Sequence, residues 1–149
     1  MNKEDKIIEE NKALAMKEED ILKQLLGEDE VPEMTIEIPR INITLELKAL
    51  RDKEIEVIRK ECTERRKGDN GKWENRVNNL EYDAGLIEAA TTNFNWSNPK
   101  LLAAKQVSTG KAFILKKLYP GERSFLVNKV LELSGFNDEM KVVEDIKNS

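Results

Sequence analysis

The side chains of this chain that could do chemistry are carboxylates, lysines, arginines and one thiol, and there is no histidine. Without an imidazole, Ser-His and Cys-His nucleophilic arrangements are excluded. Cys62 stands alone, so no disulfide can form within the chain, and the usual Cys/His zinc spacings are absent. Cys62 follows Ile55 and Ile58 on one apolar helical stripe, the setting of a buried small hydrophobe rather than of a reactive thiol. The acids at Glu18-Glu19-Asp20 and Asp138-Glu139 are mixed densely with lysine, the pattern of solvated helix faces. The loop Lys67-Gly68-Asp69-Asn70-Gly71-Lys72 lacks the acidic spacing of a calcium site, and no glycine-rich phosphate cradle occurs. No spacing supports a carboxylate-only hydrolase. The residues predict a protein that is not an enzyme and carries no metal or cofactor.

Charge is placed unevenly. Residues 1–33 hold 5 Lys against 11 Asp or Glu, whereas the remaining 116 hold 20 Lys or Arg against 18 acids. An acidic arm on a near-neutral body does not favour nucleic acid, which needs a basic face. Lys111, Lys116, Lys117, Arg123 and Lys129 lie among short helices and keep a small helical DNA-binding regulator as a weaker alternative. No apolar run approaches the roughly 20 residues needed to span a bilayer. Met1 to Lys6 is followed by only two apolar residues, unlike a signal peptide. The cytoplasm is the expected location, with no membrane partner.

The elements that must position these side chains centre on Ile41–Cys62. Ile41, Ile43, Leu45 and Leu47 alternate with Asn42, Thr44, Glu46 and Lys48, which predicts a half-buried strand. The period changes at Ala49-Leu50, and Ile55, Ile58 and Cys62 begin a helix, so Leu50 is the expected pivot. Upstream, Met34, Ile36 and Ile38 alternate on even numbers. The switch to odd numbers at Pro39-Arg40 implies either a hairpin or one bent strand with a bulge.

Further helical segments surround this centre. Residues 3–26 form one prospective helix, with Ile7, Leu14 and Ile21 repeating every seven and Gly27 as its stop. A helix over about 52–66 opens with Asp52 and Glu54 and closes with Arg65 and Arg66, in keeping with the helix dipole. A second runs from Trp73 or Glu74 to Thr92 on a stripe of Val77, Leu80, Ala84, Ile87 and Thr91, and Gly85 within it suggests a close helix contact. Asn98-Pro99 starts a third and Ser108 or Thr109 caps a fourth. After a turn at Tyr119–Glu122, a fifth carries Phe125, Leu126, Val130 and Leu133 to Ser134, and a last short one begins at Asn137 with Met140, Val143 and Ile146. The expected fold is α+β, mainly α: a hairpin at 34–48 packed on about five short helices. The expected organisation is an acidic helical arm and linker over 1–33, then a domain over 34–149.

Four segments in order resemble one phage protein family: Leu45–Leu50 running into Glu54-Ile55; Asn93-Phe94 followed by Pro99 and Leu101; Leu118-Tyr119-Pro120-Gly121-Glu122; and Glu132-Leu133-Ser134-Gly135-Phe136. Their order and spacing over about residues 34–137 are similar to the XkdN-like tail assembly chaperones of contractile-tailed phages and phage-like particles. Arg51 departs from the Ser or Thr expected as helix cap, which would pass the cap to Asp52. Phe94-Asn95-Trp96 is a less typical loop, and the N-terminal arm lies outside the resemblance.

The resemblance implies a binding role. Such chaperones coat the long tape-measure protein during tail assembly, keep its apolar helices soluble and help tail-tube subunits polymerise around it. They are generally absent from the finished particle, and in many relatives a frameshift yields a longer form. The candidate contact residues are Phe94 and Trp96, then Tyr119 and Phe136, although aromatics at helix junctions also serve as core plugs. The stripe Ile7, Leu14, Ile21 is a second candidate, for self-association. The main alternative is a structural tail or baseplate component that stays in the particle.

Overall fold

The computed structural model describes residues 16–136 together with Met140 and Val142. Six helices and two two-stranded antiparallel sheets are found among the described residues, so the α+β, mainly α expectation holds. In chain order they are α1 Glu18–Leu26, β1 Glu33–Ile38, β2 Ile43–Lys48, α2 Asp52–Glu61, β3 Thr63–Lys67, β4 Trp73–Val77, α3 Asn79–Ala90, α4 Pro99–Lys105, α5 Gly110–Lys117 and α6 Pro120–Leu133. The chain falls into two units, Val31–Asn137 and the remainder. Of the remainder, α1 leaves Ile21, Leu22, Leu25 and Leu26 exposed and closes at Gly27, whose N–H donates to the Gln24 carbonyl. Ile7 and Leu14 lie outside the described residues. So does most of the expected last helix, and Met140 and Val142 are exposed and in no helix.

The hairpin alternative is the one adopted at 34–48. Met34, Ile36 and Ile38 pair across with Leu47, Leu45 and Ile43, which puts even and odd numbers on one face. The connection is longer than Pro39-Arg40: a 3₁₀ turn over Pro39–Ile41, then left-handed Asn42 with φ 56°. Four side chains of that face, Ile36, Ile38, Leu45 and Leu47, are buried. The ladder continues one step beyond the strands, with Ala49 N–H donating to the Pro32 carbonyl at 2.9 Å, so the end of the linker belongs to the body. Leu50 is buried at the pivot. Arg51, not Asp52, remains the N-cap of α2, because Glu54 reaches back to accept from the Arg51 N–H at 3.2 Å.

The helices expected over 52–66 and from Trp73 are both too long. Helix α2 stops at Cys62, and Thr63–Lys67 pairs with Trp73–Val77 as a second hairpin. Its turn is closed by Gly71 N–H to the Gly68 carbonyl and Gly68 N–H to the Lys72 carbonyl, with Gly71 at φ 77°. That is a type I turn followed by a left-handed glycine, a common short hairpin connection. The strands carry no buried residue, so hydrophobic periodicity has nothing to register. Asn70-Gly71 beside Lys72-Trp73 is the available turn signal.

Helix α3 therefore begins at Asn79, with the Asn78 side chain accepting from the Glu81 N–H at 3.1 Å. It is the centre of the core, packed against α2, α5, α6 and β2. Ala84, Gly85, Leu86, Ile87 and Ala90 are buried, whereas Leu80 is exposed and Val77 lies in β4, a correction to the expected stripe. A Cβ on Gly85 would sit 2.6 Å from Ile58 Cγ2, so the missing side chain lets α2 close on α3. Asn98 and Thr109 cap α4 and α5 as expected. Tyr119–Glu122 is the first turn of α6 rather than a separate turn, with Pro120 at its first position and Glu122 accepting from the Tyr119 N–H at 2.8 Å. Leu126, Val127 and Val130 of α6 are buried, and Phe125 is exposed.

Candidate partner-binding groove

The loop after α3 is stitched to the outer edge of β2. Thr91 bridges Leu47, Thr92 N–H donates to the Glu46 carbonyl, and the Asn93 side chain both accepts from Glu46 N–H and donates to the Thr44 carbonyl, each at 2.9 Å. Asn93 thus satisfies the backbone of β2 as one further strand residue would. This stitching presents Phe94 and folds Trp96 inward. Trp96 is only 3% exposed, and its indole N–H donates to Thr91 Oγ1 at 3.0 Å. Phe94 meets it edge-on at 5.3 Å between centroids, and Phe113 lies 6.2 Å away on the other side. The start of α5 passes so close that a Cβ on Gly110 would stand 2.8 Å from the Trp96 carbonyl carbon.

These elements border an open groove of about 700 Å³. The hairpin contributes Ile41, Ile43 and Leu45, and the helical side contributes Phe94, Trp96, Leu101 and Phe113. Arg40 and Lys117 add positive charge at the same groove. Arg40 is fixed there. Its guanidinium donates from Nε and Nη2 to the two oxygens of Glu122 at 2.9 and 2.8 Å, donates to the Lys117 carbonyl at 2.8 Å, and lies 4.2 Å over the Tyr119 ring. The Arg40 bonds, joined by that from the Tyr119 N–H, hold the Glu122 carboxyl down at about 2. At the far end of α6, Ser134 Oγ accepts from the Leu50 N–H at 2.9 Å and donates to the Val130 carbonyl at 2.7 Å.

Of the expected contact residues, Phe94 and Trp96 come together, but in different roles. Phe94 is 40% exposed in the groove, whereas Trp96 is a core residue beneath it and not the surface contact expected of it. A large aromatic whose N–H finds a partner five residues back has no reason to remain in water. Tyr119 is exposed beside Arg40. Phe136 is exposed after α6, away from the groove lining, and Ile21 is exposed on α1 in the other unit. The sequence reading missed Arg40, Leu101 and Phe113 as groove residues, since their meeting depends on non-local packing. Among the described residues, no group of three or more His, Cys, Asp or Glu could hold a metal ion, and no helix is long and apolar enough to cross a membrane.

The segments that carry the sequence resemblance are thus points where the helical layer is fastened to the first hairpin and the corner after it: Asn93 to β2, Glu122 to Arg40, Ser134 to Leu50. A comparison with protein families agrees: the model of the phage XkdN-like tail assembly chaperone proteins matches residues 22–147. The chain belongs to that family. The match begins within α1, so the family extends further into the arm than the segment over 34–137 that carries the sequence resemblance. Among solved structures, this tail assembly chaperone family member is similar to the crystal structure of the protein YqbN, with a TM-score of 0.53 and 15% identity over 74% of this chain and 91% of that one. At that identity the likeness speaks for the fold alone. No curated protein matches.

Proposed function

We propose that this chain binds the tape-measure protein through the groove and helps recruit tail-tube subunits around it during assembly of a contractile tail. The work is done in the host cytoplasm, by binding and without catalysis, and the chain leaves before the particle is complete. The observation that carries this is the open apolar groove in which the half-exposed Phe94 stands beside Arg40 and Lys117. A long helix with an exposed apolar stripe is an aggregation hazard until covered, and helices are recognised by laying such a stripe into a hydrophobic groove. The groove falls within the about 300–1,000 Å³ of ordinary ligand pockets, room for a few anchor side chains rather than a whole helix. Tyr119 and Phe136 extend the contact, and the acidic arm up to Glu30 acts as an element separate from the body that begins at Val31.

The test is a pull-down of N-terminally tagged chain from producing cells, read by mass spectrometry, with purified particles assayed in parallel. A very long helical protein should be enriched with the wild type and lost with Phe94→Ala. That variant should cost only about 1 kcal/mol of stability, the size of one edge-to-face aromatic contact. Finding the chain stoichiometric in particles would instead make it a structural tail or baseplate subunit.

A further inference from the structure

The two long edges of the β1–β2 hairpin are finished differently. On β2, Thr92 and Asn93 take the outward N–H and C=O of Glu46 and the carbonyl of Thr44. On β1 nothing comparable is found. Ala49 N–H donates to the Pro32 carbonyl, so the pairs in step with it exchange bonds across the hairpin: Met34 with Leu47, Ile36 with Leu45, Ile38 with Ile43. The N–H and C=O groups of Glu33, Thr35 and Glu37 therefore point away from β2. Among the described residues, no group bonds to them. A free edge of this kind is a template for one more strand.

The side chains along that edge specify the strand it would take. Glu33, Thr35 and Glu37 are exposed on the outer face, beside Thr44, Glu46 and Lys48 of β2. The one cation of that face, Lys48, is engaged by Glu54 at 3.1 Å, which leaves the acids along β1 without a base. On the inner face a cleft of about 210 Å³ opens between β1 and α6, lined by Ile36, Ile38, Gly121, Phe125 and Leu126, with Phe125 52% exposed. A strand laid on this edge alternates its side chains between the acidic face and the apolar cleft. We infer that the β1 edge adds an extended, antiparallel segment of a partner protein in which basic residues alternate with apolar ones. A second copy of β1 does not fit, because like charges directly opposite repel. The inference goes beyond the groove and does not depend on what the groove binds.

The probe is a fluorescently labelled peptide, Val-Lys-Val-Thr-Val-Lys, whose lysines meet Glu37 and Glu33 in antiparallel register, titrated into the full chain by anisotropy. It should bind, and at ~10 times its Kd the Thr35 and Glu37 amides should exchange about ten-fold more slowly by NMR. Methylating the peptide's backbone nitrogens at Lys and Thr, which face β1, should weaken binding by about ten-fold or more. Glu33→Lys/Glu37→Lys should weaken it as much and bind Val-Glu-Val-Thr-Val-Glu instead. Thr35→Pro, which removes an outward N–H and none of the bonds to β2, should also abolish binding. Circular dichroism of each variant separates loss of contact from loss of fold, and the peptide arms test the edge on the unaltered chain. Failure of the wild type to bind the basic peptide would overturn the inference. So would equal binding of the methylated peptide, which would mean attraction by charge alone, or tighter binding of the acidic one. Phe94→Ala should leave peptide binding unchanged; a loss there would move the peptide to the groove and overturn the edge as its site.

Discussion

The β1–β2 hairpin alternates exposed and buried side chains along two strands of six residues, whereas the β3–β4 hairpin, with two strands of five, has no buried side chain and one exposed tryptophan. The first is fastened to helices by Asn93, Glu122 and Ser134, and its buried face is continuous with the core under α3 and α6. The second is joined at its base by the Asn78 N–H to the Cys62 carbonyl, the Thr63 hydroxyl to the Arg59 carbonyl and Val77 against the core, and beyond that base it relies on cross-strand pairs. An isolated two-stranded hairpin is marginal in water. The difference teaches where each hairpin's stability comes from: one draws on burial, the other on its turn, its ion pairs and one cation–π contact.

The largest effect should come from beneath the groove. Trp96→Ala should lose about 3–5 kcal/mol in urea unfolding, the cost of truncating a buried tryptophan. An unchanged unfolding curve would mean that Trp96 is available to a partner after all. Leu47→Ala, at a fully buried position of β2, should cost about 2–5 kcal/mol. The matching change on the second hairpin, Trp73→Ala, should cost no more than about 1 kcal/mol, the size of one exposed cation–π contact. Equal losses at Leu47 and Trp73 would break the contrast between the hairpins.

Between these extremes lies the clasp at the tip of the first hairpin. The Glu122 carboxyl is lowered from 4.5 to about 2 in the folded chain, so its contribution is complete above pH 4.5 and is lost as pH falls towards 2. Arg40→Ala removes the largest cause of that lowering while the bond from the Tyr119 N–H remains. Melting temperatures of wild type and Arg40→Ala should therefore differ most at neutral pH and converge as pH falls from 4.5 to 2. Parallel curves across that window would show that the clasp does not contribute through Glu122.

Much of the fold was legible in the sequence because its cause is local. Alternation from Met34 to Leu47 marked the first hairpin, Asn98-Pro99 and Thr109 marked helix starts, and the unbranched Gly85 marked a close approach. The second hairpin was not legible by periodicity, since neither of its faces is buried. The charged run through Arg65, Arg66 and Lys67 suits a helix end as well as a strand. The site was half legible. Phe94 stood out as a loop aromatic, but whether Phe94 or Trp96 would face solvent depends on the Thr91 hydroxyl and on the passage of α5 past Gly110.

By itself the sequence determined the helical class, the first hairpin, the buried setting of Cys62 and the family, because capping residues, apolar periods and ordered motifs act within a few residues of where they stand. Only the tertiary structure decided which aromatic is core and which is surface. It also decided that Arg40 and Glu122, far apart in the chain, close on each other, and that Arg65, Lys67 and Trp73 share a face. Those outcomes rest on which segments meet across the chain, and no local preference encodes the register of a distant partner.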